Sequence, residues 1–183
     1  MKKRIILLNY EYPPLGGGAA NATYHILDVC KNMEDLEIVL VTSSLDKDYH
    51  INLAPNITIH GLDIGKNWRN PHHQSYVNLL IYSRKSYRYT KGLLKKKQYD
   101  IIHAFFGVPC GYIAMLLSKI YKIPYLVSLR GSDVPGYNKK YRLLDFLFFS
   151  YLSKKIWKRA KVVVANSQWL KNLAYKTAPH QAI

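Results

Sequence analysis

Acidic side chains are scarce in this chain. Its 183 residues hold 11 Asp and Glu against 27 Lys and Arg, a formal charge of +16. Such an imbalance points to an anionic partner: nucleic acid, phospholipid or a phosphorylated small molecule. Cysteine is nearly absent as well, with only Cys30 and Cys110, far apart and each in an apolar, helix-like setting. That excludes a disulfide scaffold and a thiolate metal centre, and predicts two buried free thiols in a reducing compartment. No stretch approaches the roughly 18 consecutive apolar residues of a membrane span. The start "MKKRIILLNYEYPP" has the basic beginning of a signal peptide, but its apolar run "IILL" is too short for one. The expected location is the cytoplasm, with room for peripheral attachment to the inner face of a membrane.

What is present is alternation. Short β-rich runs, "RIILL" (4–8), "EIVLVTS" (37–43), "ITIHGLDI" (57–64), "DIIHAFF" (100–106), "PYLVSLR" (124–130) and "VVVANS" (162–167), are mostly separated by segments long enough for a crossover helix. Uninterrupted apolar strands followed by helices indicate a parallel sheet covered on both faces, hence a doubly wound, Rossmann-like α/β/α sandwich in one domain. Helices are predicted at 18–33, about 74–98, 110–121, 140–160 and 168–176. The link between 37–43 and 57–64 shows no helix and reads as a loop.

Ligands of such sheets bind outside the carboxyl ends of the strands. There, after the first strand, stands "PPLGGG", with Gly16, Gly17 and Gly18 running into a helix. Glycines let a ligand approach the backbone, and the helix start offers N–H groups and a positive dipole end to phosphate. The dinucleotide fingerprint G-x-G-x-x-G fails at Asn21, and the strand ending "VTSS" lacks the acid that holds an adenine ribose. A nicotinamide-binding Rossmann domain therefore stands only as an alternative, beside a general module for anionic ligands.

The glycine loop, followed in order by "YDIIHAFFG" (99–107), "IPYLVSLRGSDVPGY" (123–137) and "WKRAKVVVANSQWL" (157–170), resembles the amino-terminal domain of retaining glycosyltransferases of the GT-B fold, the large family that includes sucrose synthases. The resemblance implies that residues 1–183 are the acceptor-side domain and that a carboxyl-terminal, donor-binding domain with a basic pair and an E-x7-E motif is missing. The whole enzyme would then move a sugar from a nucleotide-sugar donor to a lipid-linked or saccharide acceptor in cell-envelope or exopolysaccharide synthesis. It implies neither a cofactor nor a metal. This fragment alone is expected to be inactive.

On that resemblance Gly16, Gly17, Gly18, Ser132 and Asp133 border the substrate cleft, and Arg130 and His103 are the catalytic candidates. Many members carry His where this chain has Arg130. An arginine stays protonated and cannot shuttle a proton, but it can donate hydrogen bonds to phosphate or carboxylate. Structural readings stand beside these: a salt bridge between Arg130 and Asp133, capping of the chain reversal by Ser132 and Asp133, and a core histidine at position 103. Phe105 and Phe106 either wall the acceptor site or fill the core, and Asn166 and Ser167 read as a helix cap. "DKD" at 46–48 imitates a manganese motif yet fits a solvated loop. His72 and His73 lack further spaced ligands for zinc.

The run "YSRKSYRYTKGLLKKK" (82–97) carries Arg84, Lys85, Arg88, Lys91, Lys95, Lys96 and Lys97, no acid and three tyrosines. A basic, aromatic helix face suits an anionic lipid surface. No recognition-helix or RNA-binding aromatic pattern accompanies it, so nucleic acid is the less favoured partner.

Overall fold

A computed structural model describes residues 2–66, 75–137 and 149–183. His72, His73 and the first part of the helix expected at 140–160 lie outside the described residues. Two compact units divide the chain, 1–102 and 103–183. The fold is α/β, Rossmann-like, with a seven-stranded and mostly parallel sheet.

In the first unit, β1 (Lys3–Leu8), α1 (Gly18–Cys30) and β2 (Leu36–Ser44) form a βαβ crossover, with β1 and β2 parallel from Lys3 opposite Leu36 to Leu8 opposite Val41. β2 also pairs in parallel with β4 (Ile57–Asp63). The segment expected to be a loop contains instead a strand, β3 (Tyr49–Ala54), antiparallel to β4, so the local order is β3-β4-β2-β1. Tyr49 holds this edge: its ring fills the place where a Cβ on Gly61, its cross-strand partner, would stand. Asn56, in the turn before β4, donates from its amide to the carbonyls of Cys30 (2.9 Å) and Met33 (3.0 Å), satisfying orphan acceptors where α1 ends. That is why α1 stops at Cys30 rather than running on to Met33, and Cys30, expected to be buried, is only half-buried there.

The helix α2 (Tyr76–Lys96) begins on a capping box. Ser75 Oγ accepts from Asn78 N (3.1 Å) while Asn78 Oδ1 accepts from Ser75 N (3.3 Å). Its fully buried Tyr82 donates to the carbonyl of Val41 (3.0 Å), pinning the helix to β2. The core of this unit is built on Ile6, Leu8, Leu27, Leu40, Ile57 and Ile59.

The second unit follows the order β5-β6-β7. β5 (Ile101–Phe105), beginning at the boundary, leads through a tight π-turn (Gly107–Gly111) into α3 (Tyr112–Tyr121). β6 (Tyr125–Leu129) pairs in parallel with β7 (Val162–Ala165), and α4 (Ser150–Arg159) and α5 (Gln168–Thr177) flank β7 in sequence. Tyr125 donates to the carbonyl of Ile156 (2.5 Å), and Trp157 is fully buried. Ser167 caps α5, its hydroxyl accepting from Leu170 N (3.2 Å), as its place after the strand suggests. Cys110 is buried and forms no disulfide.

His60 on β4 joins the sheet to α2 through a 2.7 Å hydrogen bond between its Nδ1 and the Tyr89 hydroxyl, with His50 stacked beside it at 4.5 Å. Burial, reinforced by His50, pushes its pKa down to about 4. As pH falls from the ordinary histidine value toward 4, the unfolded chain binds a proton that the native state refuses, so stability falls. The urea midpoint should therefore drop as pH is lowered from about 7 to 4. In His60→Gln that drop should be smaller, measured by circular dichroism.

Candidate functional site

The glycine loop hangs from the end of β1. Asn9, fully buried, donates to Thr23 Oγ1 (2.8 Å) and accepts the backbone N–H of Glu11 (3.0 Å), tying the loop to α1. Glu11 then turns back, and its Oε2 accepts from Gly17 N (3.3 Å). Gly17 is the N-cap of α1 and no side chain caps it locally, so the anion at this helix start is the protein's own carboxylate. Burial raises the pKa of Glu11, with the Gly17 N–H and the charge of Lys66 pulling the other way. The sequence reading missed Glu11. The signal was an acid two residues past an apolar strand, in the same loop as the glycines.

The three glycines differ. Gly16 has φ +90°, and a Cβ there would stand 2.6 Å from the Glu11 side chain, whereas Gly17 and Gly18 have open space. Of the three, Gly16 alone combines a positive φ with a filled Cβ position. In the same unit a cavity of ≈ 170 Å³ lies between residues 12–15 and 43–49, walled by Tyr12, Leu15, Leu45 and Tyr49. Ser43 lines it, and its buried hydroxyl has no hydrogen-bond partner among the described residues.

The second cluster belongs to the second unit. Phe106, at the end of β5, is buried with φ 71° and ψ 140°, a conformation uncommon outside glycine. It is followed by Gly107, whose N–H donates to Asp133 Oδ2 (2.6 Å). Asp133 Oδ1 accepts from the backbones of Arg130 (2.9 Å) and Gly131 (3.0 Å). Burial raises the pKa of this carboxyl and the backbone N–H groups oppose the shift. The carboxylate thus caps the reversal after β6, and among the described residues no ion pair joins it to Arg130 within 4.0 Å.

The guanidinium of Arg130 lies instead over the Phe105 ring, 3.8 Å from its centroid, a contact contributing roughly 0.5–2 kcal/mol. Its Nε is buried without a partner. His103 shares this neighbourhood: Nε2 meets Ser128 Oγ at 2.8 Å and the ring lies 4.9 Å from Phe105. Burial, then the charge of Arg130, pushes its pKa down to about 4, leaving it neutral near pH 7. Ser132 is exposed in the turn. The structure therefore brings His103, Phe105, Arg130 and Asp133 together. Asp48, of the manganese-like triplet, accepts from Asp63 N (2.6 Å) and pairs with Lys85 (3.6 Å).

The seven cations of α2 and its C-cap, Lys97, are unlike one another. Lys85 pairs with Asp48 (3.6 Å) and Lys97 with Glu37 (2.5 Å). Lys91 approaches the Tyr87 ring (6.0 Å). Arg84, Arg88, Lys95 and Lys96 are exposed, and the exposed Tyr76, Val77 and Leu80 precede them on the same helix. Among the described residues no helix is long and apolar enough to cross a membrane.

Residues 16–180 match Glycosyltransferase Family 4. An uncharacterized glycosyltransferase of Methanocaldococcus jannaschii is 24% identical over 180 residues, 98% of this chain and 45% of its own length. Sucrose-phosphate synthase from Thermosynechococcus elongatus superimposes with a TM-score of 0.72 at 16% identity, over 99% of this chain and 46% of that one. A UGT transferase from Siraitia grosvenorii in complex with UDP gives 0.57 at 10% identity, over 99% and 46%. The chain spans about half the length of these relatives.

Gly16→Ala should destabilise the protein by about 1–3 kcal/mol, the cost of a strained backbone position. Gly17→Ala should change stability by less than about 1 kcal/mol. Chemical denaturation of the two variants checks the contrast.

Proposed function

The chain belongs to Glycosyltransferase Family 4, and from that premise we propose that it is the amino-terminal, acceptor-side half of a retaining GT-B transferase that uses a nucleotide-sugar donor. The observation that carries the reading is the family match across residues 16–180, together with relatives about twice as long. The remaining length of such relatives leaves room for a donor-binding domain. That the Siraitia transferase was crystallised with UDP supports a nucleotide-linked donor here.

In this scheme the glycine loop offers backbone to the ligand and the Tyr12–Tyr49 cavity receives part of the acceptor. No side chain of this half acts as nucleophile, and neither metal nor cofactor is required. The leaving phosphates are stabilised by fixed donors while the acceptor hydroxyl attacks the same face of the sugar. Arg130 and His103, in the second unit, are the catalytic candidates. Being neutral near pH 7, His103 can exchange a hydrogen bond with an acceptor hydroxyl, which the Arg130 cation can only donate.

The acceptor is proposed to be lipid-linked or saccharide, with the protein lying peripherally on the cytoplasmic face of a membrane and serving envelope or exopolysaccharide synthesis. The α2 surface supports this, since exposed Val77 and Leu80 precede Arg84 and Arg88, an arrangement that meets acyl chains and anionic headgroups together. Nucleic acid would gain nothing from the apolar pair.

In the full-length enzyme, Gly17→Val should abolish sugar transfer while circular dichroism stays unchanged, because the position has open space and is proposed to border the ligand. Retained turnover would place the cleft elsewhere. Arg84→Glu with Arg88→Glu should weaken co-sedimentation with phosphatidylserine vesicles at low salt by tenfold or more, at about 1 kcal/mol per cation. Equal binding by the double variant would remove α2 from any membrane contact.

A further inference from the structure

The second unit is the more one-sided half of the charge distribution: residues 103–183 carry 13 Lys and Arg and two acids, Asp133 and Asp145. Of these acids only Asp133 is among the described residues, and its two oxygens are engaged by the backbones of Gly107, Arg130 and Gly131. Arg130 is consequently a half-buried cation whose side chain meets no hydrogen-bond acceptor or ion-pair partner among the described residues. One face of its guanidinium is covered by Phe105. Its Nε is enclosed with nothing to donate to. A desolvated charge in that condition is unfavourable unless something compensates it. The neighbouring imidazole supplies no negative charge: His103 is bonded to Ser128, and burial, then the charge of Arg130, keeps it neutral.

We propose that Arg130 is the recognition residue for a planar or tetrahedral oxyanion on the ligand of this site, a phosphate monoester or a sugar carboxylate. Stacking on Phe105 fixes the guanidinium plane, and the planar fork presents paired N–H groups at the geometry of a two-oxygen anion. Asp133 plays the complementary part: by holding the backbone at 130 and 131 it sets where the arginine starts, and its charge offsets part of the burial cost of the cation while its oxygens stay on the backbone, so the guanidinium N–H groups are left to the ligand. The inference rests on the transferase reading for the ligand's being a substrate, whereas anion binding itself does not depend on that reading.

The test uses this chain, isotopically labelled, titrated at low ionic strength with inorganic phosphate, glucuronate and glucose, following amide shifts by NMR. The expected result is saturable shifts at residues 103–107 and 130–133 with at least one of the two anions and none with glucose. Arg130→Gln should weaken that binding about tenfold or more, as loss of a charge-assisted pair does. Arg130→Lys, which keeps the charge without the fork, should weaken it several-fold and also serves if the Gln variant unfolds. Shifts with phosphate alone assign a phosphorylated ligand, and with glucuronate alone an acidic sugar. Absence of shifts with both anions, or unchanged affinity in either variant, overturns the proposal. If anion binding holds while the full-length protein transfers no sugar from any nucleotide donor, the transferase reading fails and the anion site stands.

Discussion

Asp133 binds backbone, and the second unit's functional end depends on it. One carboxylate joins the turn after β5, through Gly107, to the turn after β6, through Arg130 and Gly131. Loops that leave parallel strands carry N–H groups with no ladder partner, and inside a protein such groups must be satisfied. A charged acceptor does this strongly, at about 1.5–3 kcal/mol per hydrogen bond. Two further features follow from the same constraint. Phe106 is held at positive φ immediately before the anchored Gly107. Arg130, next to an acid that is already engaged, turns onto the Phe105 ring.

The first unit solves the same problem with a different acid. Glu11 reaches Gly17 at the start of α1, as Asp133 reaches Gly107 before α3. The glycine loop therefore already holds an anion, and Gly16 has no Cβ because the Glu11 side chain occupies that space. A ligand phosphate arriving at Gly17 would meet a carboxylate of like sign, which favours a hydroxyl-rich ligand at this loop. Tyr12 and Tyr49 in the nearby cavity wall fit such a ligand.

The apolar runs made the parallel strands legible, since β2, β4, β5 and β6 are buried along most of their length and need no alternation to be recognised. β3 was illegible for the opposite reason. No residue of "YHINLA" is fully buried, the strand is bulged between Asn52 and Ala54, and it adds to β4 from the edge as an antiparallel strand. Its partner, Tyr49 over Gly61, is a tertiary contact that no local pattern announces. At the site, the sequence marked His103, Arg130 and Asp133 by their place at strand ends. It could not say that Asp133 would choose backbone over Arg130, because that choice depends on Gly107, 26 residues away. Glu11 carries no motif of its own, because its part in the loop rests on its contact with Gly17, six residues on, and on the missing Cβ of Gly16. The separation of α2's cations into paired and exposed sets also required the acids of other segments, Asp48 and Glu37.

That separation bears on how the charge acts. All five ion pairs among the described residues lie in the first unit, where they neutralise part of its surface. The second unit has no comparable acids, so its 13 Lys and Arg against two Asp leave a positive field that extends about a Debye length, roughly 8 Å at physiological salt, beyond the surface. Exposed lysines set the reach of such a field but select nothing, because a solvated ammonium accepts any anion. Selection needs a cation whose hydration has been removed and whose orientation is fixed. Among the described residues of this unit, Arg130 meets both conditions through Phe105 and its enclosed Nε. The general charge gathers anions toward the protein, and the one stacked guanidinium can distinguish among them.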